Sequence, residues 1–164
     1  MNKDVSKLFE LIRETKICML TTQDAEGNLR SRPMANQAEF PDENLWFFTD
    51  KDSPKVKEID GAAAVNLSYG EPGKNHYVSV SGHASLVKDR ELMKKFWKPI
   101  YKAWFPEGLD DPSISLLKVT IDKAEYWDSP SSIAVQLIGF TKAILTGKRY
   151  APKDGHKKID SVMH

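Results

Sequence analysis

The succession of short apolar runs along this chain predicts a mainly β, α+β fold: an antiparallel β-barrel of about six strands with peripheral helices. Two observations carry that expectation. Most of the runs are separated by turn residues rather than helical stretches, and parallel pairing would need a crossover of about a dozen residues between most strands. The length of 164 residues also suits one domain, against a prior of roughly 150 residues each, and no internal repeat divides it.

At the start, Val5, Leu8, Phe9, Leu11 and Ile12 recur at helical spacing among Lys, Glu and Arg, so Val5 to Thr15 reads as a helix with one buried face. Ile17 to Thr22 is short and apolar. Ala25-Glu26-Gly27-Asn28 then turns the chain into a second run, Leu29 to Ala35, completing a hairpin. The aromatic segment Leu45-Trp46-Phe47-Phe48-Thr49, bounded by turn residues, is a third strand. A short helix follows at once, marked by Ser53 at a capping position, Pro54 at the first helical position and Gly61 past the end.

Ala62 to Tyr69 and Tyr77 to Val87 are two more strands around the turn Gly70-Glu71-Pro72-Gly73-Lys74-Asn75. From Asp89 to Trp104, apolar and aromatic residues at spacings of three and four predict a helix bent or split at Pro99. After a loop, Phe105 to Pro112, the stretch Ser115 to Asp128 alternates as one long strand. Past Ser129-Pro130-Ser131-Ser132 an apolar helical stretch runs to Thr146 and ends at Gly147. The domain is therefore read as 1–147, with 148–164 a mobile tail.

Composition excludes several classes. With 40% apolar and 29% charged residues the chain has enough apolar surface to fold. The formal net charge of +1, from 24 Lys and Arg against 23 Asp and Glu, gives no field to attract nucleic acid, and no basic stripe compensates. Cys18 is the single cysteine, so an internal disulfide framework and a paired-cysteine metal site are ruled out, and a reducing compartment suits it. The opening lacks an apolar signal core, and no apolar run reaches about 18 residues, so a cytoplasmic protein without a membrane partner is expected.

Two clusters could carry chemistry. Arg30-Ser31-Arg32-Pro33-Met34 puts two cations on one face of a strand, where they meet either an anion or, on an edge strand, water. In Phe48-Thr49-Asp50-Lys51-Asp52-Ser53-Pro54-Lys55 a strand leads into a helix whose first turn offers unpaired N–H groups, a hydroxyl and a lysine. Such a turn holds phosphate well, although Ser53 could equally be a plain cap. Adjacent strands could bring Arg32 near Ser53 and Lys55, which makes the combination more specific than either part.

Those two clusters, followed by Val78-Ser79-Val80-Ser81-Gly82-His83-Ala84 and Ala124-Glu125-Tyr126-Trp127-Asp128, resemble the pyridoxamine 5′-phosphate oxidase-like flavin-binding split barrels, most closely the general stress proteins. The resemblance spans Leu8 to Ala143 and implies a six-stranded split barrel, flavin mononucleotide (FMN) as cofactor, and a homodimer with the flavin site at the subunit interface. Carried over by position, it implies that the strand Arg30, Ser31, Arg32, Pro33 and Met34 lines the isoalloxazine ring, with Arg32 reaching the phosphate. Ser53 and Lys55 also serve the phosphate, Met34, Phe48 and Thr49 flank the flavin, Asp50 belongs to the same cofactor-binding segment, and Trp127 adds an aromatic surface. Two departures stand out: Pro54 replaces an arginine common in the oxidases, and the Arg and His that face their vitamin substrate after Trp127 have no counterpart. Pyridoxine phosphate oxidation is therefore not implied.

The remaining reactive residues read as structural. Cys18 lies among Ile17, Met19 and Leu20, where a thiol packs as a small hydrophobe. His76 and His83, seven residues apart on one strand, point to opposite faces, and no set shows metal-site spacing, so no metal is expected. Two functions stay open: an oxidoreductase in which flavin passes electrons from a nicotinamide to a small acceptor, and a non-catalytic module that stores flavin or senses redox state.

Overall fold

The computed structural model describes residues 3–37, 39, 42–128, 141–147, 155–160 and 162. Helix α1 (Lys3–Glu14) leads into the hairpin β1 (Ile17–Gln23) and β2 (Leu29–Ala35), then β3 (Leu45–Asp50) and α2 (Pro54–Gly61). Strands β4 (Ala64–Glu71) and β5 (His76–Val87) follow, then α3 (Arg90–Phe96) and the long β6 (Ile114–Asp128). All ladders are antiparallel, in the order β2-β1-β4-β5-β6-β3. The sheet curls into a half-barrel that brings the end strands β2 and β3 near each other.

The tail expected to be mobile after Gly147 instead contains a seventh strand, β7 (His156–Ile159), paired with Ala124 to Trp127 of β6. The physical reason lies in β6, which at 15 residues is longer than its partner β3. Its outer edge is taken by β3 up to Val119 and leaves a second half open for β7. Ile159 and Val162 are buried in the core, which ties the segment down. Residues 141–146 are helical; the rest of the expected C-terminal helix lies outside the described residues.

Periodicity two places Cys18, Leu20, Leu67, Tyr69, Val78, Val80, Ala124 and Tyr126 on the inner face, where Leu8, Leu11 and Ile12 of α1 join them. A smaller cluster, Trp46, Met93, Phe96, Tyr101, Phe105, Ile114 and Leu116, lies under α3 and the following 3₁₀ turn. The expected helix does split at Pro99. Asp89 caps α3 by accepting from the Leu92 N–H (3.0 Å), the α-helix stops at Phe96, and Lys98, forced out of the helical region by the proline after it, is extended. Between β5 and β6 the register shifts at Ser81/Gly82; a Cβ on Gly82 would lie 2.1 Å from the Thr120 carbonyl oxygen, so only glycine fits there.

Candidate functional site

The site forms where the end strands approach. Arg30 and Arg32 sit on β2 opposite Thr22 and Leu20, so both lie on the strand face that carries the core, Arg32 largely covered and Arg30 at the exposed end. They meet Glu58 of α2, a helix that packs on β1 and β5. Glu58 is buried and accepts from Arg30 Nη1 through Oε1 (2.7 Å) and from Arg32 Nη2 through Oε2 (2.8 Å). The Thr22 hydroxyl donates to Glu58 Oε2 and accepts from Arg32 Nη1, closing the network.

One helical turn before Glu58, Lys55 donates from Nζ to Ser53 Oγ (3.1 Å). Ser53 stands at the N-cap of α2 but does not cap it: its hydroxyl turns back to the Asp50 carbonyl (2.7 Å). Asp50 is occupied locally, accepting from the Asp52 N–H (2.7 Å), and the buried Thr49 hydroxyl donates to the Asp50 carbonyl (3.3 Å).

Charge is unbalanced here. Hydrogen bonding from Thr22, with support from the Arg32 and Arg30 guanidiniums, outweighs burial and holds the Glu58 carboxyl below its ordinary range, so it stays ionised. Burial, and next the nearby Arg32 charge, push the Lys55 ammonium below the usual lysine value despite Asp50 and Glu58. Arg30, Arg32 and Lys55 thus gather around the buried Glu58 and the exposed Asp50, three cations against two carboxylates, and burial disfavours the charge on Lys55. An incoming anion relieves that strain.

The other expected residues divide. Met34 is buried in the main core behind Arg32, and Phe48 packs against Trp97, Tyr101 and Phe105 (ring centroids 5.7, 4.9 and 6.5 Å). Pro33 and Ser31 project to the outer face, where Ser31 shares a hydrogen bond with Thr21 (2.7 Å). Trp127 is not brought to the arginines within one chain: it pairs with Tyr77 on β5 and belongs to the outer face, stacked on the His156 ring (5.1 Å, 7°). Sequence reasoning missed Glu58 and Thr22. The one available signal was that Glu58 follows Lys55 by three residues, on the same side of the helix.

The expected helix stripe is mixed: Phe96 and Tyr101 are buried, whereas Trp104 is 66% exposed. Cys18 is buried, its thiol aimed at the Met34 carbonyl (3.7 Å) and pushed up to about 12 by burial. His76 is buried and His83 exposed beside Asp122 (2.6 Å). Among the described residues no group of three His, Cys, Asp or Glu could hold a metal ion, and no helix is long and apolar enough to cross a membrane.

The residues present fit a flavin phosphate. The cation surplus and the uncapped start of α2 suit the anion, and β2, which among the described residues pairs only with β1, presents its other edge to a planar, hydrogen-bonding ring. Residues 3–151 match the sequence profile described as pyridoxamine 5′-phosphate oxidase like. The protein bli-3 of Neurospora crassa is 30% identical over 158 residues, covering 90% of this chain and 76% of that protein. A putative general stress protein 26 from Jannaschia sp. CCS1 superimposes with a TM-score of 0.75 at 26% identity, over 98% of this chain and 99% of that one. The general stress FMN/FAD binding protein of Xanthomonas citri gives 0.69 at 26% identity, over 80% and 94%.

Proposed function

Because the chain belongs to the pyridoxamine 5′-phosphate oxidase-like family, we propose that it binds FMN in the split between β2 and β3 and acts as a flavin-dependent oxidoreductase on a small molecule. The observation that carries this reading is the meeting of Arg32, Lys55 and Ser53 beside the free edge of β2, with more cationic than anionic charge. Arg32 and Lys55 hold the phosphate, the start of α2 adds backbone donors, and β2 offers its edge to the ring. The flavin, when bound, supplies the electron transfer; the protein orients it and limits water.

A homodimer completes this account. The outer face carries Ile17, Met19, Tyr77 and Trp127, all more than a third exposed (52%, 40%, 42% and 37%), a row that a second copy can cover. Trp127 meets a flavin only from such a second subunit. We place the protein in the cytoplasm, where a lone buried thiol stays reduced.

One observation favours the storage or sensing reading: Arg30, Arg32 and Glu58 are hydrogen-bonded to one another and Lys55 to Ser53, so these groups serve to hold the site together. The test is to load the protein with FMN under nitrogen and add reduced nicotinamide. Bleaching followed by recovery in air supports catalysis; a flavin that stays oxidised through prolonged exposure refutes it and leaves the binding module.

A further inference from the structure

We infer that Glu58 is the positioning residue of the anion clamp: it fixes the Arg32 guanidinium so that the remaining donors of Arg32 are aimed, together with Lys55, at the phosphate of a phosphorylated flavin. This rests on the FMN reading of the same site. Arginine presents five N–H donors in a rigid fork. In this chain one end of the Arg32 fork is held by Glu58 Oε2 (2.8 Å) and the other by the Thr22 hydroxyl. Three directions are thus fixed, from a helix, from β1 and from the β2 backbone, and the side chain is only 21% exposed. The donors not used by Glu58 and Thr22 are preset before any ligand arrives, which removes an ordering cost from binding.

Arg30 shares the same carboxylate but is 53% exposed, so water can replace Glu58 as its partner, and the effect falls mainly on Arg32. Helix α2 carries both parts of the device: Lys55 in its first turn contributes charge to the clamp, and Glu58 one turn later aligns the opposing arginine. A carboxylate this close to a phosphate site also repels the ligand. Two outcomes therefore compete, and the bonds decide between them: Glu58 is buried, bonded by three groups and already neutralised by two arginines, so its aligning role outweighs its repulsion.

The test compares FMN with riboflavin, which lacks the phosphate, by quenching of flavin fluorescence on the full chain and on Glu58→Ala and Glu58→Gln. Glu58→Ala is expected to lose about tenfold or more in FMN affinity while riboflavin changes by about twofold or less. Glu58→Gln, which offers one acceptor oxygen to two arginines, is expected to fall between and carries the same comparison should the alanine variant not fold. Equal losses for both flavins reduce Glu58 to a structural role and overturn the inference, as does tighter FMN binding, which makes the carboxylate a competitor. A wild-type protein that prefers FMN, with variants that keep the full preference, sinks the inference alone; a wild type with no preference sinks the phosphate reading and the inference with it.

Discussion

Removing Lys55 separates binding from folding. In Lys55→Ala the phosphate loses one charge-assisted hydrogen bond, of about 1.5–3 kcal/mol in general. Lys55 is half-buried, so water replaces part of that interaction, and the lower end, about 1.5 kcal/mol or roughly tenfold in FMN affinity, is the expected loss. Riboflavin affinity should stay within about twofold. The free protein, by contrast, should not lose stability. Burial and the Arg32 charge depress the lysine in the folded state, so the unfolded chain holds its proton more firmly. Stability then rises with pH between the folded value and the ordinary 10.5, because in that window the unfolded state binds more protons. The alanine variant should lack this rise. Isothermal titration with both flavins, together with urea unfolding of the free protein at several alkaline pH values, reads both effects. A variant that loses FMN and riboflavin equally, or whose free form is markedly less stable than wild type, refutes the assignment of Lys55 to an anion.

Three further outcomes follow from particular residues. Gly82→Ala, whose Cβ would meet the Thr120 carbonyl oxygen at 2.1 Å, should destabilise the fold by about 1–3 kcal/mol or more, seen as a lower thermal midpoint; an unchanged midpoint would mean that the bulge relaxes freely. Glu58, held ionised below its ordinary 4.5 first by the Thr22 hydroxyl and then by Arg32, contributes stability that is present above that value and lost as pH falls through its folded value. Wild type should therefore lose more stability than Glu58→Gln in urea unfolding between about pH 6 and pH 3. Cys18, buried with its thiol raised to about 12, should react with iodoacetamide at mildly alkaline pH only at the rate of unfolding, and rapid alkylation of the native protein would contradict its packing.

The parts of the fold that follow local rules were legible in the residues. The short apolar run Ile17 to Thr22, the run Tyr77 to Val87, the turn around Gly27, and the Ser53-Pro54 helix start each led to the element observed. Pro99 announced the broken helix because a proline constrains the residue before it as well as its own N–H. The seventh strand was not legible: Lys157 and Lys158 give His156–Ile159 a polar signature, and the segment is a strand because half of the β6 edge is open to it. For the site, Arg32, Ser53 and Lys55 could be singled out as an anion-binding set because each residue type suits a phosphate on its own. Glu58 could not, since an acidic residue in a charged helix reads as solvated until the curl of the sheet sets it against β2. Trp127 was identifiable as an aromatic of interest, but its position on the outer face depends on strand register, which the sequence leaves open.

Flavin binding is read from the absorbance spectrum of the purified chain after incubation with excess FMN and removal of unbound ligand by gel filtration. Flavin absorbance should be retained at about one equivalent per subunit, eluting at the mass of a dimer. Protein that elutes colourless, with all the flavin in the small-molecule fraction, would contradict flavin binding.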